Sequence, residues 1–271
     1  MTHIRNIVIL TGAGISAESG LATFRGPDGL WEGHRVEDVC TPEALARDPE
    51  MVHRFYDARR AALAGVVPNA AHEALAALDA AWPGELLIVT QNVDDLHERA
   101  GARRVLHMHG ELLSALCAAC GMAVRWAGDM MAATQPFVPS EVEGRLSPAP
   151  RPSTSLGTNG EGVTPAKSFQ PPKCSGCGAH ALRPDIVFFG EMPYEMDRID
   201  RAIASADLFV SIGTSGAVYP AAGFVRTARH HGAKTLELNL DPSAGSVYFD
   251  DARMGPASVL VPTWVREVLG G

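Results

Sequence analysis

Two Cys-x-x-Cys pairs, Cys117 with Cys120 and Cys174 with Cys177, offer four thiolates at the spacing a tetrahedral zinc site uses. In a reducing compartment such pairs read as metal ligands rather than disulfides. One Zn²⁺ per chain is expected. It would be structural, because four thiolates leave no open coordination position. A second segment, Thr11-Gly-Ala-Gly-Ile-Ser-Ala-Glu-Ser-Gly20, follows the apolar run Ile7–Leu10. Gly12 and Gly14 let a backbone approach a pyrophosphate closely, and the N–H groups opening the next helix favour its charge. The plainer reading of Gly-x-Gly is a tight strand-to-helix turn. A dinucleotide fingerprint also expects an acidic residue about 20 positions on, after a second strand. Here the chain continues Ser19-Gly-Leu-Ala-Thr-Phe-Arg-Gly-Pro-Asp-Gly29, which has the composition of a mobile cofactor loop.

Three further segments carry polar groups at strand ends. Thr90-Gln-Asn-Val-Asp-Asp-Leu-His97 follows Leu86–Val89. Gln91, Asn92 and Asp94 can hydrogen-bond ribose hydroxyls or a carboxamide; helix capping by Asn92 or Asp94 is the alternative. His97 reads as a structural helix residue. In His107-Met-His-Gly-Glu111, either histidine can serve as a general base near neutral pH. His109 has the advantage of Gly110 beside it, but periodicity alone does not choose between the two. Gly213-Thr-Ser-Gly216 follows Leu208–Ile212, and Asn239-Leu-Asp241 ends another apolar run.

The elements that must position these groups alternate. The apolar runs Ile7–Leu10, Leu86–Thr90, Ile186–Phe189, Leu208–Ile212, Thr235–Leu240 and Ser258–Val261 read mostly as short buried strands. Ala-rich helical stretches lie between and after them: Pro49–Leu63, Ala70–Ala81, Met196–Ala206, Pro220–His231 and Pro262–Leu269. This order predicts an α/β fold, a doubly wound and mostly parallel Rossmann-like sheet. Residues 112–184 break the rhythm and carry the paired cysteines, so a small zinc-ribbon domain is expected there. The parent domain is then 1–111 plus 185–271. Residues 135–172 are rich in Pro, Ser, Gly and Thr and read as a flexible insertion.

The chain has 271 residues and a net charge of −8, which speaks against a nucleic-acid partner. The acidic balance would suit lysine-rich substrates, although solubility alone explains it. No apolar run reaches the roughly 18 residues of a membrane helix, and residues 1–6 lack a signal-peptide layout. A cytoplasmic location is the expectation.

Taken together, Gly12-Ala-Gly-Ile-Ser16 with its following Ser-Gly and Phe-Arg, Thr90-Gln-Asn-Val-Asp94, His109-Gly-Glu111, the paired cysteines, Phe189-Gly-Glu191 and Gly213-Thr-Ser215 resemble the sirtuins, NAD-dependent protein deacylases, in family order. The resemblance runs from Gly12 to about Ala257. It is closest to the class III branch, which favours succinyl-lysine and malonyl-lysine and is marked by Tyr-x-x-Arg, here Tyr56-Asp-Ala-Arg59. Spacing i to i+3 puts both side chains on one helix face. Arg59 could then grip an acyl carboxylate, with Tyr56 as a further donor. Without the resemblance, both would read as ordinary helix surface. Arg60 faces elsewhere and reads as a solvated charge.

The resemblance implies NAD as co-substrate, bound by Gly12, Ala13, Gly14, Ile15, Ser16, Glu18, Phe24, Arg25, Trp31, Gln91–Asp94 (including Val93), Gly213, Thr214, Ser215, Asn239, Leu240, Asp241 and Ala257. It implies His109 as the base and an acylated-lysine protein or peptide held between Phe189-Gly190-Glu191 and Val218. The implied reaction moves the acyl group to ADP-ribose, releasing nicotinamide and free lysine. A plain deacetylase and a mono-ADP-ribosyltransferase remain as alternatives. Cys40 stands where the acyl-lysine branch generally carries alanine, which makes it a residue of the acyl pocket or the core rather than a metal ligand.

Overall fold

The computed structural model describes residues 4–22, 33–131 and 169–270. Among the described residues, nine strands form two sheets: β1 Ile7–Thr11, β2 Leu86–Thr90, β3 Val105–His107, β4 Gly110–Cys117, β5 Ala123–Arg125, β6 Leu182–Ile186, β7 Leu208–Ile212, β8 Lys234–Asn239 and β9 Asp251–Met254. Six of them make a sheet in the order β3-β2-β1-β7-β8-β9, every neighbour parallel. The chain leaves β1 toward one side and β7 toward the other. The carboxyl ends of β1 and β7 therefore flank the switch point where such sheets hold ligands.

Both faces of this sheet are covered, which explains why its inner strands read as unbroken apolar runs rather than as alternation. Ile7 and Ile9 of β1 pack with Leu75 and Leu78 of helix α5 (Ala70–Ala81) and with Val261 and Trp264 of α9 (Ala257–Gly270). Val8 and Leu10 point the other way, onto Ile199 and Ile203 of α7 (Met196–Ala204) and Phe224 and Val225 of α8 (Phe224–His230). Three short helices, α1 Gly14–Ala17, α2 Val36–Val39 and α3 Pro42–Arg47, precede α4 (Pro49–Leu63), and α6 is Leu96–Arg99. The start of α4 is written in the sequence: Asp48 caps the N–H of Met51 at 2.9 Å, and Pro49 takes the first helical position.

The second sheet, β5-β4-β6, is antiparallel. It carries Cys117 at the end of β4, and Cys174 and Cys177 shortly before β6. Helix α4 lies against it, burying Val52, Phe55 and Tyr56 with Leu112 of β4, Ile186 of β6 and Phe188.

Three expectations need correction. Ser258–Val261 is not a strand but the opening of α9, which runs through Pro262. A four-residue apolar run has no period that separates a buried strand from a buried helix. The strand near 186 is Leu182–Ile186, with residues 187–189 beyond it. Arg60 is not solvated. It is 3% exposed, ion-paired with Asp57 and 3.3 Å from the Leu112 carbonyl to which it donates, because the second sheet covers that side of α4. Most of the proposed flexible insertion, up to residue 168, lies outside the described residues.

Candidate active site

A cavity of about 780 Å³ opens at the carboxyl edge of the parallel sheet. It brings together Gly12, Ala13, Gly14, Ser16, Glu18, Gln91–Asp94, His109, Gly213–Ser215, Asn239–Asp241 and Ala257. Arg59, Cys40, Val218 and Phe189–Glu191 line the same space. Segments up to about 240 positions apart thus converge on one crevice, as the strand-end placement of each motif predicts. Ile15 does not reach it; that side chain is fully buried in the core against the sheet. Phe24, Arg25 and Trp31 lie outside the described residues.

The glycines have a packing role that the sequence does not announce. A Cβ on Gly12 would meet the Gly213 carbonyl at 2.8 Å, and one on Gly14 would meet it at 2.7 Å. Gly213 itself has φ +62°, with Ile15 N only 2.4 Å from where a Cβ would stand. The two glycine loops are pressed together without side chains between them. The expectation of helix-opening N–H groups turned to a ligand needs revision. Helix α1 is a single turn, and the N–H groups of Gly14, Ile15 and Ser16 donate to the carbonyls of Gly213, Gly12 and Ala13 at 2.8, 3.1 and 3.1 Å.

Behind the crevice lies a buried polar network. The Ser16 hydroxyl donates to Asp94 Oδ2 at 3.1 Å and accepts from Asn92 Nδ2 at 3.1 Å. Asp94 also accepts the Leu96 N–H at 3.2 Å, so the capping alternative is realised alongside the cavity position. Burial raises its carboxyl pKa above the ordinary value. His72 receives the Asn69 N–H on Nδ1, which leaves Nε2–H directed to Ser16 Oγ at 3.4 Å. His97 is fully buried against the Thr11 hydroxyl at 3.1 Å, in agreement with a structural role. Desolvation lowers the pKa of His72 to about 4 and that of His97 to about 3, so both are neutral near pH 7. Gln91 Nε2 donates to Thr214 Oγ1 at 3.1 Å and Asn239 Nδ2 to the Thr214 carbonyl at 2.8 Å, tying three strand ends together.

Tertiary structure separates the two candidate bases. His107 uses both ring nitrogens, with Nδ1 at 3.0 Å from the Asn92 carbonyl and Nε2 at 2.9 Å from Glu98. Burial alone would lower its pKa, but Glu98, together with the Asn92 carbonyl and Glu111, outweighs that and raises it. His109 places Nδ1 3.1 Å from the Gln91 carbonyl, which can only accept, so the proton sits on Nδ1 and Nε2 carries the free lone pair. Burial lowers the His109 pKa, against a smaller opposing effect of the Gln91 carbonyl. Of the two, only His109 lines the cavity. Gly110 makes this possible: its φ is +88°, and a Cβ there would fall 2.1 Å from the Asp185 carbonyl.

On the opposite wall, Arg59 holds its guanidinium 3.9 Å over the Phe55 ring and borders the cavity. Tyr56 corrects the expected pairing. It is wholly buried, edge-on to Phe55, stacked with Phe188, and its hydroxyl is beside the Cys40 thiol. Cys40, not Tyr56, forms the wall, and burial raises its thiol pKa. Glu191 borders the cavity, but its carboxylate is engaged. Both oxygens accept from Arg183 at 2.7 Å, and Oε2 also accepts the Phe188 N–H at 2.8 Å. Its role is to shape the 187–191 loop rather than to present a free charge.

The cysteine cluster fits its proposed metal. Cys117 and Cys177 sulfurs are 3.7 Å apart, Cys120 and Cys174 sulfurs 3.8 Å, and all four lie within 4.8 Å of one another. Tetrahedral Zn²⁺ with Zn–S of about 2.3 Å requires S···S separations of about 3.8 Å, whereas a disulfide needs about 2.0 Å. Each pair is followed by a glycine of positive φ, Gly121 at +73° and Gly178 at +77°. The N–H of each returns to the carbonyl of its first cysteine, at 2.8 and 3.0 Å. That repeated Cys-x-x-Cys-Gly was present in the sequence as a signal for two matching turns.

A switch-point crevice, a cavity-facing imidazole and a four-thiolate cluster thus stand together on one α/β fold. Comparison with known proteins agrees. Residues 12–220 match the model of the Sir2 family, and the chain belongs to that family. It is 50% identical over 98% of its length, and 95% of the relative's, to "NAD-dependent protein deacylase SIR2rp3" of Trypanosoma brucei brucei. It is 49% identical to an NAD-dependent protein deacylase of Escherichia coli K12, covering 98% of this chain and 82% of the relative. A solved Sir2 homologue in complex with NAD superposes with a TM-score of 0.77 at 35% identity, covering 98% of this chain and 90% of that one. Among the described residues, no helix is long and apolar enough to cross a membrane.

Proposed function

We propose that this protein is an NAD-dependent protein-lysine deacylase that removes succinyl and malonyl groups in preference to acetyl. The observation that carries the reading is one cavity shared by His109, the two glycine loops and Arg59. NAD, when bound, supplies a ribose carbon activated by its nicotinamide leaving group and hydroxyls that can be deprotonated. The chain's residues do the rest. The 12–14 and 213–215 loops, with Asn239–Asp241 and Ala257, hold the dinucleotide along the sheet edge. Asn92 and Asp94, fixed by Ser16, face its nicotinamide end. Gln91 holds His109 in the Nδ1–H tautomer, so Nε2 takes the ribose proton. Apolar walls exclude water from the charge that develops.

The 187–191 loop and Val218 border the entrance, where an extended acyl-lysine peptide pairs with the backbone. Arg59 then meets the acyl end. Its cationic fork suits a carboxylate, which acetyl lacks. The cytoplasm is the compartment this reading favours, in keeping with free cysteines throughout the described residues.

The test is nicotinamide release from NAD across acetyl-, malonyl- and succinyl-lysine peptides, in wild type and Arg59→Met. The expected result is loss of desuccinylation by about 10²-fold or more, with deacetylation far less affected, as for a lost charge-assisted pair. An equal effect on both removes the carboxylate reading. ADP-ribose retained covalently on protein, without free acyl-ADP-ribose, would favour a transferase instead.

A further inference from the structure

Helix α4 carries Arg59 on its cavity face. On its other side it is bound to the cysteine-bearing sheet by buried side chains. Asp57 accepts the backbone N–H groups of Met130 and Met131, at 3.0 and 2.9 Å, and pairs with Arg60. The Met130 side chain is fully buried in a cluster formed with Cys117, Cys174, Ala115 and Leu182. One residue thus links two of the four thiolates to the helix. Arg60 reaches the Leu112 carbonyl of β4. His53 places Nε2 3.0 Å from the carbonyl of Leu182, the first residue of β6. These contacts differ in kind from the exposed Arg54–Glu50 pair on the same helix, which is screened and worth little.

We infer that the cysteine-bearing sheet is the seat of α4 and that Asp57 is a positioning residue for Arg59, so that filling the four-thiolate site steadies the helix that meets the acyl group. The inference rests on the proposed acyl reading. The lever is geometric. A helical side chain reaches about 6 Å from its axis, so a turn of about 20° moves its tip by about 2 Å. Misplacement on the order of 1 Å can cost 10²-fold where positioning matters. The coenzyme crevice is built mainly on the parallel sheet; the second sheet meets it through main-chain bonds, as where the Leu112 N–H donates to the Val93 carbonyl at 2.8 Å, and Asp57→Asn leaves those bonds in place.

The test combines three arms. In Asp57→Asn, which keeps the shape but removes the charge, the KM for a succinyl peptide should rise about tenfold, with kcat/KM on an acetyl peptide and the KM for NAD within about twofold. Zinc should remain at one per chain. In the wild type, withdrawal of zinc by a chelator should speed hydrogen exchange of the α4 amides (49–63) while β1, β2 and β7 stay protected. This arm also decides the matter if Asp57→Asn fails to fold. Equal losses on both peptides in folded Asp57→Asn, or α4 exchange indifferent to zinc, would overturn the inference. Arg59→Met, assayed beside them, separates the two ideas. If it affects both acyl groups equally, the carboxylate reading fails, and the exchange arm still judges the seat.

Discussion

The two walls of the cavity are held by different means. The wall proposed for the coenzyme is made of strand ends and glycine loops fixed mostly by main-chain bonds, such as Gly12 N–H to Ile212 and Gly14 N–H to Gly213, at 3.0 and 2.8 Å, with the Gln91 and Asn239 side chains added on Thr214. The wall proposed for the acyl group is one helix held largely by side chains to a small sheet whose own core includes Cys117 and Cys174. Main-chain contacts survive most side-chain substitutions, whereas a side-chain seat changes whenever one of its few members changes. On the proposed function, the reacting groups lie on the wall built from strand ends and acyl recognition on the helix opposite.

The strongest way to break this comparison is at the base. His109→Ala should lower kcat/KM for every acyl peptide by about 10²–10⁴-fold while leaving NAD binding, followed by calorimetry, largely intact. A loss confined to one acyl type would mean that His109 belongs to the wrong wall. Next comes the loop contact. Gly213→Ala must adopt φ near +62° and place a methyl 2.4 Å from Ile15 N. It should cost about 2–4 kcal/mol of stability in a urea titration, the sum of left-handed strain and overpacking. Unchanged stability would show that the two loops are not pressed together.

A subtler test uses pH. Burial depresses the His109 pKa, so the base is deprotonated down to values below its ordinary 6.5. The acid limb of kcat/KM should lie below pH 6.5, because activity is lost only as pH falls through the lowered pKa. A base at His107, whose pKa is raised, would put the limb above 6.5. The smallest effect is on acid stability. His72 and His97 fold with pKa values of about 4 and about 3, below the ordinary 6.5. The unfolded chain binds protons that the folded chain refuses, so stability is full above pH 6.5 and declines as pH falls toward 4. Replacing both with glutamine should flatten that decline in thermal melts between pH 6.5 and 4.5.

Much of the scaffold was legible because local signals agreed with the global fold. The bounds of α4, α5, β2 and β7 follow from apolar runs and caps, as with Asp48-Pro49 and Asn69. Strand β9, Asp-Ala-Arg-Met, escaped because an edge strand that is half in solvent needs no apolar run. Ser258–Val261 was misread for want of a period. Among functional groups, the four cysteines declared themselves by type and spacing. Ser16 gave no such signal as the hub between Asn92 and Asp94.

Residue identity by itself determined which chemistry this chain could hold: thiolates for zinc, imidazoles for proton transfer, glycines where no side chain fits. It also set the strand–helix order that brings strand ends to one edge. Only the tertiary structure decided which imidazole has its lone pair free, since that depends on a carbonyl 18 positions away in sequence. It alone buried Arg60 against Asp57 and withdrew Tyr56 behind Cys40. The reason is that periodicity fixes a side chain's direction on its own element but not what another element brings to meet it. Burial, tautomer and charge state are properties of that meeting.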